Sequence, residues 1–262
     1  MKFDLKILSP FLILILSSCA SIETTSNLTV NLEPAESVFS QDSEFELFLS
    51  DQWEEGMEDS PVFASMLGDK RFNTKISSNS ASQFNKDKIK DNDNLEKLRA
   101  FDLDALSEDN KLNYRLAELG LMNSINRMEY PSYLMELNQR GGVQSYYETG
   151  DRLVFLSSQD YEDWLIRLEG YAINISNSLV NNRNGLKLGY TQPKLVTRGV
   201  ISQIKAIVES DIDKHPYLKV FVTADESLFT NNQKNELIKR AKLLIEQKIN
   251  PEYTKLLLFL ED

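Results

Sequence analysis

Apolar residues recur at every third or fourth position over most of the chain after residue 42, and this spacing predicts helices. The most regular stripe lies between Ser158 and Asn184, with acidic residues in its first turn and Gly185 just after it. At 1.5 Å per residue this helix would be about 40 Å long. We therefore interpret it as the central helix of a bundle. Its apolar positions are Tyr161, Trp164, Leu165, Leu168, Tyr171, Ile175 and Leu179.

The same spacing predicts further helices on both sides of this one. Their stripes are Phe45 to Met57, Val62 to Leu67, Phe84 to Phe101, Leu112 to Ile125, Val196 to Ile207, Leu237 to Ile249 and Tyr253 to Leu260. Ser107 is placed to cap one helix, and Thr230 with Gln233 has capping-box spacing before another. Thr191, followed by Pro193, is the predicted cap of a third. The expected fold class is mostly α, a multi-helix bundle-like array.

Two segments do not follow the helical period. Residues 134–156 contain Gly141-Gly142, and we predict one short extended or β segment there, with a second short extended piece over 218–222. The plain interpretation of the glycine pair is a turn or bulge. The functional interpretation is a strand edge that a peptide or ligand approaches closely.

Three aromatic residues lie in the first of these segments, namely Tyr146, Tyr147 and Phe155. They could line a groove beside the glycine pair. Aromatic side chains at such positions more often belong to the core, so we favour a core role for them.

The N-terminus is typical of an exported protein. Lys2 and Lys6 precede an apolar run over 7–16, which is shorter than the roughly 20 residues of a membrane span and predicts a signal peptide at residues 1–18. Cys19, the only cysteine, stands where a bacterial lipobox has its lipidated cysteine. We expect cleavage before Cys19 and anchoring to the membrane through its lipid. The alternative is an incidental cysteine behind an ordinary signal peptide.

The predicted signal peptide and lipidation site also indicate a cellular location and a domain organisation. Ala20 resembles the sorting pattern of Gram-negative outer-membrane lipoproteins, so we expect a lipid-anchored protein of the cell envelope that, in a Gram-negative organism, lies at the outer membrane and faces the periplasm. Residues 19–41 are rich in Ser, Thr, Asn and Glu and are predicted to be a flexible tether. Residues 42–262 are expected to form a single helical domain.

Composition excludes several kinds of chemistry. The net charge is −11 and no stripe of Lys or Arg is present, so nucleic acid is not an expected partner. His215 is the only histidine, so neither an imidazole metal cluster nor a histidine-containing triad can be assembled. We interpret His215 as a surface or turn residue. The carboxylate pairs Asp160 with Asp163 and Glu54 with Glu58 are interpreted as solvated helix faces. No catalytic residue, metal ligand or cofactor is therefore assigned to this chain.

The order of several short motifs resembles a known family. They are Ser60-Pro61 with Ala64, Leu67-Gly68-Asp69, Arg71-Phe72, Leu106-Ser107-Glu108-Asp109 with Leu112-Asn113-Tyr114, Leu137-Asn138-Gln139 with Gly141-Gly142, Asp160-Tyr161 with Trp164 and Arg167-Leu168, then Gly185, Gly189, Thr191, Pro193, Pro251, Tyr253, Leu257 and Phe259-Leu260. In this order they resemble the bacterial domain-of-unknown-function family number 885, over roughly residues 45–262.

The resemblance implies a helical, gluzincin-like zinc metallopeptidase in which this chain corresponds to the N-terminal half. The presumed zinc motif of the family, His-Glu-x-x-Pro-Gly-His, belongs to the later half, so zinc is implied for the longer family protein and not for this chain. Asn138, Gln139, Gly141 and Gly142 become the possible edge of a cleft that contacts the backbone of a peptide substrate.

Two functions follow as alternatives. The chain is either the N-terminal part of an exported zinc-peptidase-like protein, truncated or split and completed by a missing half or partner chain, or a free-standing lipid-anchored binding or scaffold protein. The apolar run Leu256 to Leu260 is expected to need a packing partner. Because the zinc motif of the family belongs to the missing half, we predict no zinc-dependent hydrolysis by this chain alone.

Overall fold

The structure, a computed structural model, describes residues 41–262. Nine α-helices make up most of these residues. The predicted signal peptide, Cys19 and almost all of the predicted tether lie outside these residues. The helices are α1 Gln41–Asp59, α2 Pro61–Met66, α3 Ala81–Arg99, α4 Glu108–Arg127, α5 Ser158–Leu188, α6 Lys194–Val208, α7 Lys219–Val222, α8 Asn231–Leu244 and α9 Asn250–Glu261. The prediction of a mostly α fold is confirmed.

The helix ends follow from short-range side-chain chemistry. Ser157 and Asp160 form a capping box at the start of α5, and Thr230 and Gln233 form one at the start of α8, as the spacing predicts. Gly189 ends α5 in the left-handed conformation, with φ of 83°, which glycine adopts without steric cost. The prediction for Thr191 was wrong. Pro193 occupies the N-cap of α6, and no side-chain hydrogen bond caps this helix because the proline ring has no polar atom.

The main core surrounds α5. All seven predicted apolar positions of this helix are buried, and Leu168 and Ile175 are fully inaccessible. Helices α8 and α9 pack against α5, α6 packs against α9, and the three contribute the other large groups of buried side chains. These are Val200, Ile204, Ile207, Leu237, Ala241, Leu244, Tyr253, Leu256 and Leu257. Helix α5 is therefore the central helix that its length and stripe predict.

A second, smaller core lies between α1, α3 and α4. Its buried apolar side chains are Phe45, Leu98, Leu106 and Tyr114, with Phe48 and Phe101 packed beside them. The stripe that predicts α4 does not enter this core. Four of its members face solvent, with 40–59% of their surface exposed, namely Leu112, Leu116, Leu119 and Met122. Helix α4 was therefore predicted from apolar residues that its neighbouring helices do not cover.

The predicted extended segments are wrong. Residues 132–135 and 143–152 form 3₁₀-helices, and within residues 41–262 the backbone pairing of Asn138 with Gly141 is an isolated bridge. The 3₁₀ period of three residues is present in the sequence as Val143, Tyr146 and Thr149. Residues 219–222 form α7, so the second extended piece is also absent.

A widened turn joins α8 to α9. Residues 245–249 form a π-helix, immediately ahead of Pro251 in the first turn of α9. Proline has no N–H to donate to the carbonyl four residues earlier, and its ring clashes with that carbonyl in a regular α-helix. The π turn removes this conflict and lets the chain continue without a break. None of the helices in residues 41–262 combines the length and apolarity needed to cross a membrane.

Candidate functional site

The four residues predicted as a cleft edge form one tight turn. Asn138 N–H donates to the Gly141 carbonyl at 3.2 Å, and Gly141 N–H donates back to the Asn138 carbonyl at 3.3 Å. Gly142 then adopts φ of 121°, a conformation that L-residues rarely occupy. A Cβ there would lie 2.7 Å from Oε1 of Gln144. Gly142 is thus required by the turn, whereas a Cβ on Gly141 would meet only Asn138 Nδ2, at 4.0 Å.

This turn is attached to α6 by amide hydrogen bonds. Gln139 Nε2 donates to the Leu195 carbonyl at 3.1 Å, and Gln203 Nε2 donates to the Gln139 carbonyl at 3.0 Å. Gln144 Nε2 donates to the Asn138 carbonyl at 2.6 Å from the inner side. The outer side chains of Asn138 and Gln139 remain exposed. The turn is a fixed ridge at the start of α6.

An apolar groove of about 360 Å³ lies next to this ridge, between α5, α6 and α9. Leu137, directly before the ridge, lines the groove, but Asn138, Gln139, Gly141 and Gly142 are not among its lining residues. The other apolar lining residues are Leu186, Tyr190, Val200, Phe259 and Leu260, with Gln192, Lys194 and Asp262 among the polar ones. Sequence reasoning located the ridge and missed the groove, because the groove is assembled from helices far apart in the chain.

A partly buried carboxyl group that sequence analysis did not identify lies between α5 and the segment that leads into α3. The Glu136 carboxylate accepts from Asn79 Nδ2 at 3.0 Å and from the Ser178 hydroxyl. Burial raises the pKa of Glu136 to about 7, although the Asn79 hydrogen bond acts in the opposite direction. Asn174 donates to the Tyr146 hydroxyl at 3.4 Å and to the Ser77 carbonyl at 2.8 Å. No local sequence signal marks this group, since its partners lie at least 42 residues away.

Asp160 is not a solvated carboxylate, so that interpretation was wrong. Its side chain is 5% exposed and accepts from the N–H groups of Leu156 and Ser157 at 2.8 and 2.9 Å and from Lys70 Nζ at 2.6 Å. Burial raises its pKa, but the Lys70 ammonium and the hydrogen bonds outweigh burial and hold the pKa below its ordinary value. Glu54 and Glu58 are exposed and pair with Arg71 and Lys75, in agreement with a solvated face.

His215 lies in a turn, as predicted, but its interpretation as a surface residue was wrong. The side chain is 1% exposed, and its Nε2 atom lies 3.1 Å from Oδ1 of Asn250. Burial lowers its pKa, since the charged form loses its hydration. The neighbouring Tyr217 hydroxyl contacts that of Tyr253 at 2.8 Å, and Tyr253 donates to the Val143 carbonyl at 2.5 Å. His215 therefore belongs to a polar layer inside the main core.

The three aromatic residues of the predicted extended segment pack against the main core, as favoured from the sequence. Tyr146 lies 4.5 Å from Tyr171 between ring centroids, and Phe155 lies 4.6 Å from Tyr161. Their main contribution is apolar burial and ring contact. Within residues 41–262, no group of three or more His, Cys, Asp or Glu side chains is placed to hold a metal ion.

These features describe a helical protein with a fixed polar ridge, an adjoining apolar groove and a central helix of 31 residues. The chain belongs to the family described as "Bacterial protein of unknown function (DUF885)", which matches residues 61–262. The resemblance drawn from the sequence motifs is confirmed. No curated protein is detectably similar to the chain.

A solved structure shares the fold. It is described as the crystal structure of the "putative lipoprotein" from Colwellia psychrerythraea, with a TM-score of 0.71 and 16% sequence identity. The similarity covers 85% of this chain and 41% of the other, so the chain spans less than half the length of that protein. The similarity establishes the helical fold.

Proposed function

We propose that the protein is a lipid-anchored, exported protein of the cell envelope whose helical domain forms the wall of a peptide-binding cleft. In this proposal a further polypeptide segment, absent from residues 41–262, supplies the zinc chemistry implied for the family. The described residues do not fit a zinc site, because they bring no three suitable ligands together. This domain would bind and orient a peptide and would not activate water.

The observation that carries the proposal is the groove beside the ridge. Ligand sites are typically concave and mainly apolar, with a few fixed polar groups at the margin. Here Leu186, Tyr190 and Phe259 supply apolar lining, while Gln192 and Lys194 supply polar groups. The ridge residue Gln139 is held by α6 and keeps its side chain at the surface. The much longer relative of the same fold supports a role together with additional chain.

Anchoring through Cys19 is the second part of the proposal. It is supported by the position of Cys19 after an apolar run and two serines. Labelled palmitate should be incorporated by the wild-type protein and not by Cys19→Ser, which should also leave the membrane fraction. Equal labelling of the two proteins would contradict lipidation at this residue.

Peptide binding can be tested with two charge substitutions on the same helix. Leu186 lines the groove and is 59% exposed, while Leu188 is 66% exposed and does not line it. In fluorescence anisotropy with a mixed set of labelled peptides, Leu186→Glu should weaken binding about tenfold, and Leu188→Glu should change it less than about threefold. Equal effects of the two substitutions, or no binding by the wild-type protein, would contradict the cleft.

Hydrolysis should be measured on the same peptides with and without added zinc. We expect binding without cleavage by this chain alone. Stoichiometric zinc binding together with peptide cleavage would show that the proposed division of roles is wrong.

A second function, a non-catalytic scaffold, is favoured by the packing of α9. Tyr253 and Leu256 are completely buried and Leu257 is 8% exposed, so this helix is part of the main core rather than an uncovered end. Only one face remains open, with Leu258 at 62% exposure. Hydrogen exchange separates the alternatives: protection of α9 in a stable monomer favours the scaffold, while protection gained only with a partner favours the peptidase-like assembly.

A further inference from the structure

Arg167 is a buried cation without a carboxylate partner. Its side chain is 1% exposed, and Nη2 donates to Ser65 Oγ at 2.7 Å, to the Phe72 carbonyl at 3.0 Å and to the Pro61 carbonyl at 3.4 Å. All three acceptors are uncharged. No ion pair within 4.0 Å involves Arg167 in the part of the chain that the structure describes, and its Nε–H has no hydrogen-bond partner there. An unpaired buried charge is costly, so this arrangement requires a reason.

The neighbouring carboxylates are already engaged. Asp163, one turn before Arg167 on α5, accepts from Gln159 Nε2 at 2.8 Å. Asp160 accepts from Lys70 and from the backbone at the start of α5. Burial lowers the pKa of Arg167, yet a guanidinium stays charged at neutral pH. Asp163 attracts Arg167 only at longer range, an effect that raises the pKa, and no carboxylate of the described chain forms an ion pair with it.

A cavity of about 300 Å³ adjoins this cation, between α2, α5 and residues 153–156. Arg167 and Trp164 line it, and the Trp164 Nε1–H is a second buried donor without a partner. Most of the remaining surface is apolar and comes from Met66, Leu67, Leu153, Val154, Phe155 and Leu156. The Lys70 ammonium, half exposed, lies at the same cavity. The Asp160 carboxylate that pairs with Lys70 also lines the cavity, so the charge there without a carboxylate partner is that of Arg167. The cavity thus places this cation beside an apolar body of the size of one amino acid.

We propose that this cavity binds a small carboxylate with an apolar body, such as an acylated apolar amino acid. The planar N–H donors of arginine fit a carboxylate, and the apolar lining fits the rest of such a molecule. The site does not rest on the proposed peptide cleft. Arg167 and Leu186 are 19 residues apart on α5, which corresponds to about 28 Å along the helix.

The chain offers its own reporter for this binding. Trp53 and Trp164 are the two tryptophans, and Trp53 lies on α1, 55% exposed and away from the cavity. In the full-length Trp53→Phe protein the emission comes from Trp164 alone. Titration with N-acetyl-leucine should change this emission in a saturable way, and calorimetry should give the same dissociation constant. N-acetyl-leucinamide, which lacks the charge, should bind at least about tenfold more weakly.

Three results would overturn the proposal. Equal affinity for the acid and the amide would exclude recognition of the carboxylate. Inorganic phosphate binding as tightly as the acid would exclude the assignment to apolar carboxylates. Absence of any response up to about 10 mM acid would exclude a useful site.

Substitutions then place the binding at this cavity. Arg167→Met should abolish the response to the acid if the variant remains folded by circular dichroism. Arg167→Met also removes the hydrogen-bond donor of Ser65, Pro61 and Phe72. Two substitutions of one residue at the rim of the cavity therefore provide an independent test. Leu67 lines the cavity and is 55% exposed, so Leu67→Glu should weaken acid binding about tenfold by repulsion while Leu67→Gln stays within about threefold. Equal binding by the two Leu67 variants would show that the acid binds elsewhere.

Discussion

Helices α4 and α5 have similar apolar stripes and opposite surroundings. Helix α5 is surrounded by α8, α9 and the 3₁₀- and π-helical segments at 132–135, 143–152 and 245–249, and every member of its stripe is buried. On α4 the residue that enters the core is Tyr114, while Leu112, Leu116 and Leu119 face solvent. Periodicity therefore reveals that a helix forms, but the position of the neighbouring elements decides which face is covered. Adjacent exposed leucines of this kind are typical of a surface that contacts another molecule.

The largest expected difference concerns leucine truncation. Leu168→Ala, in the fully buried stripe of α5, should lower the free energy of unfolding by about 3 kcal/mol because it leaves a cavity in the main core. Leu116→Ala, on the exposed stripe of α4, should change it by less than about 0.5 kcal/mol. Urea unfolding followed by circular dichroism measures both. A large loss for Leu116→Ala would mean that the α4 stripe is covered in solution.

Glycine substitutions should change stability in opposite directions on the two helices. A Cβ on Gly185 of α5 would lie 2.5 Å from the Leu134 carbonyl oxygen and 2.9 Å from that of Tyr190, so Gly185→Ala should cost about 2 kcal/mol. Gly120 of α4 has no atom within 4 Å of such a Cβ, and Gly120→Ala should stabilise by about 0.5 to 1 kcal/mol. Thermal unfolding of the two variants tests this. Stabilisation by Gly185→Ala would show that the α5 packing is looser than described.

The pH dependence of stability should be set partly by Glu136, which is partly buried against α5. Its folded pKa of about 7 exceeds the ordinary value of 4.5, so the folded protein binds more protons between these values and stability falls as pH rises through them. Glu136→Gln should remove this part of the fall and stabilise the protein by about 1 to 2 kcal/mol at pH 8, with little change at pH 4.5. Denaturant unfolding at the two pH values measures it. An unchanged pH profile in the variant would contradict the raised pKa.

The smallest difference concerns the helix caps. Ser157 at α5 belongs to a reciprocal capping box with the buried Asp160, while Ser107 at α4 caps through one hydrogen bond to Asn110 N–H at 3.4 Å. Ser157→Ala should cost about 1 to 1.5 kcal/mol and Ser107→Ala about 0.5 kcal/mol. Equal costs would show that the environment of α5 adds nothing to its cap.

Local chemistry made much of the helical framework predictable. The caps at Ser157 and Thr230 and the terminating Gly189 act through neighbours in sequence, so their residue types identify them. The 3₁₀-helix at 143–152 was not predicted, because it directly follows two glycines and its apolar residues do not repeat with the α-helical period. Its burial depends on Tyr171 and Tyr217, which are distant in sequence.

The candidate sites were less predictable than the fold. The pair Gly141-Gly142 identified the ridge, since the turn needs the positive φ that Gly142 supplies. The groove, the Glu136 carboxyl and the Arg167 cavity arise from contacts between separate helices, and no short pattern encodes such contacts. His215 illustrates the same limit. A histidine before proline in a polar stretch suggests a surface turn, yet the Asn250 side chain satisfies it inside the core.

The π turn at 245–249 also bears on how the length of this region can change. A π turn is an α-helix that contains one extra residue, so removing Gln247 would leave the two flanking helices facing the same neighbours. Pro251 would then lie inside a regular α-helix, at a cost of about 3 kcal/mol. A shorter relative could therefore keep the same core only if the deletion and the loss of this proline occurred together. Length and proline content are coupled at this one point of the chain.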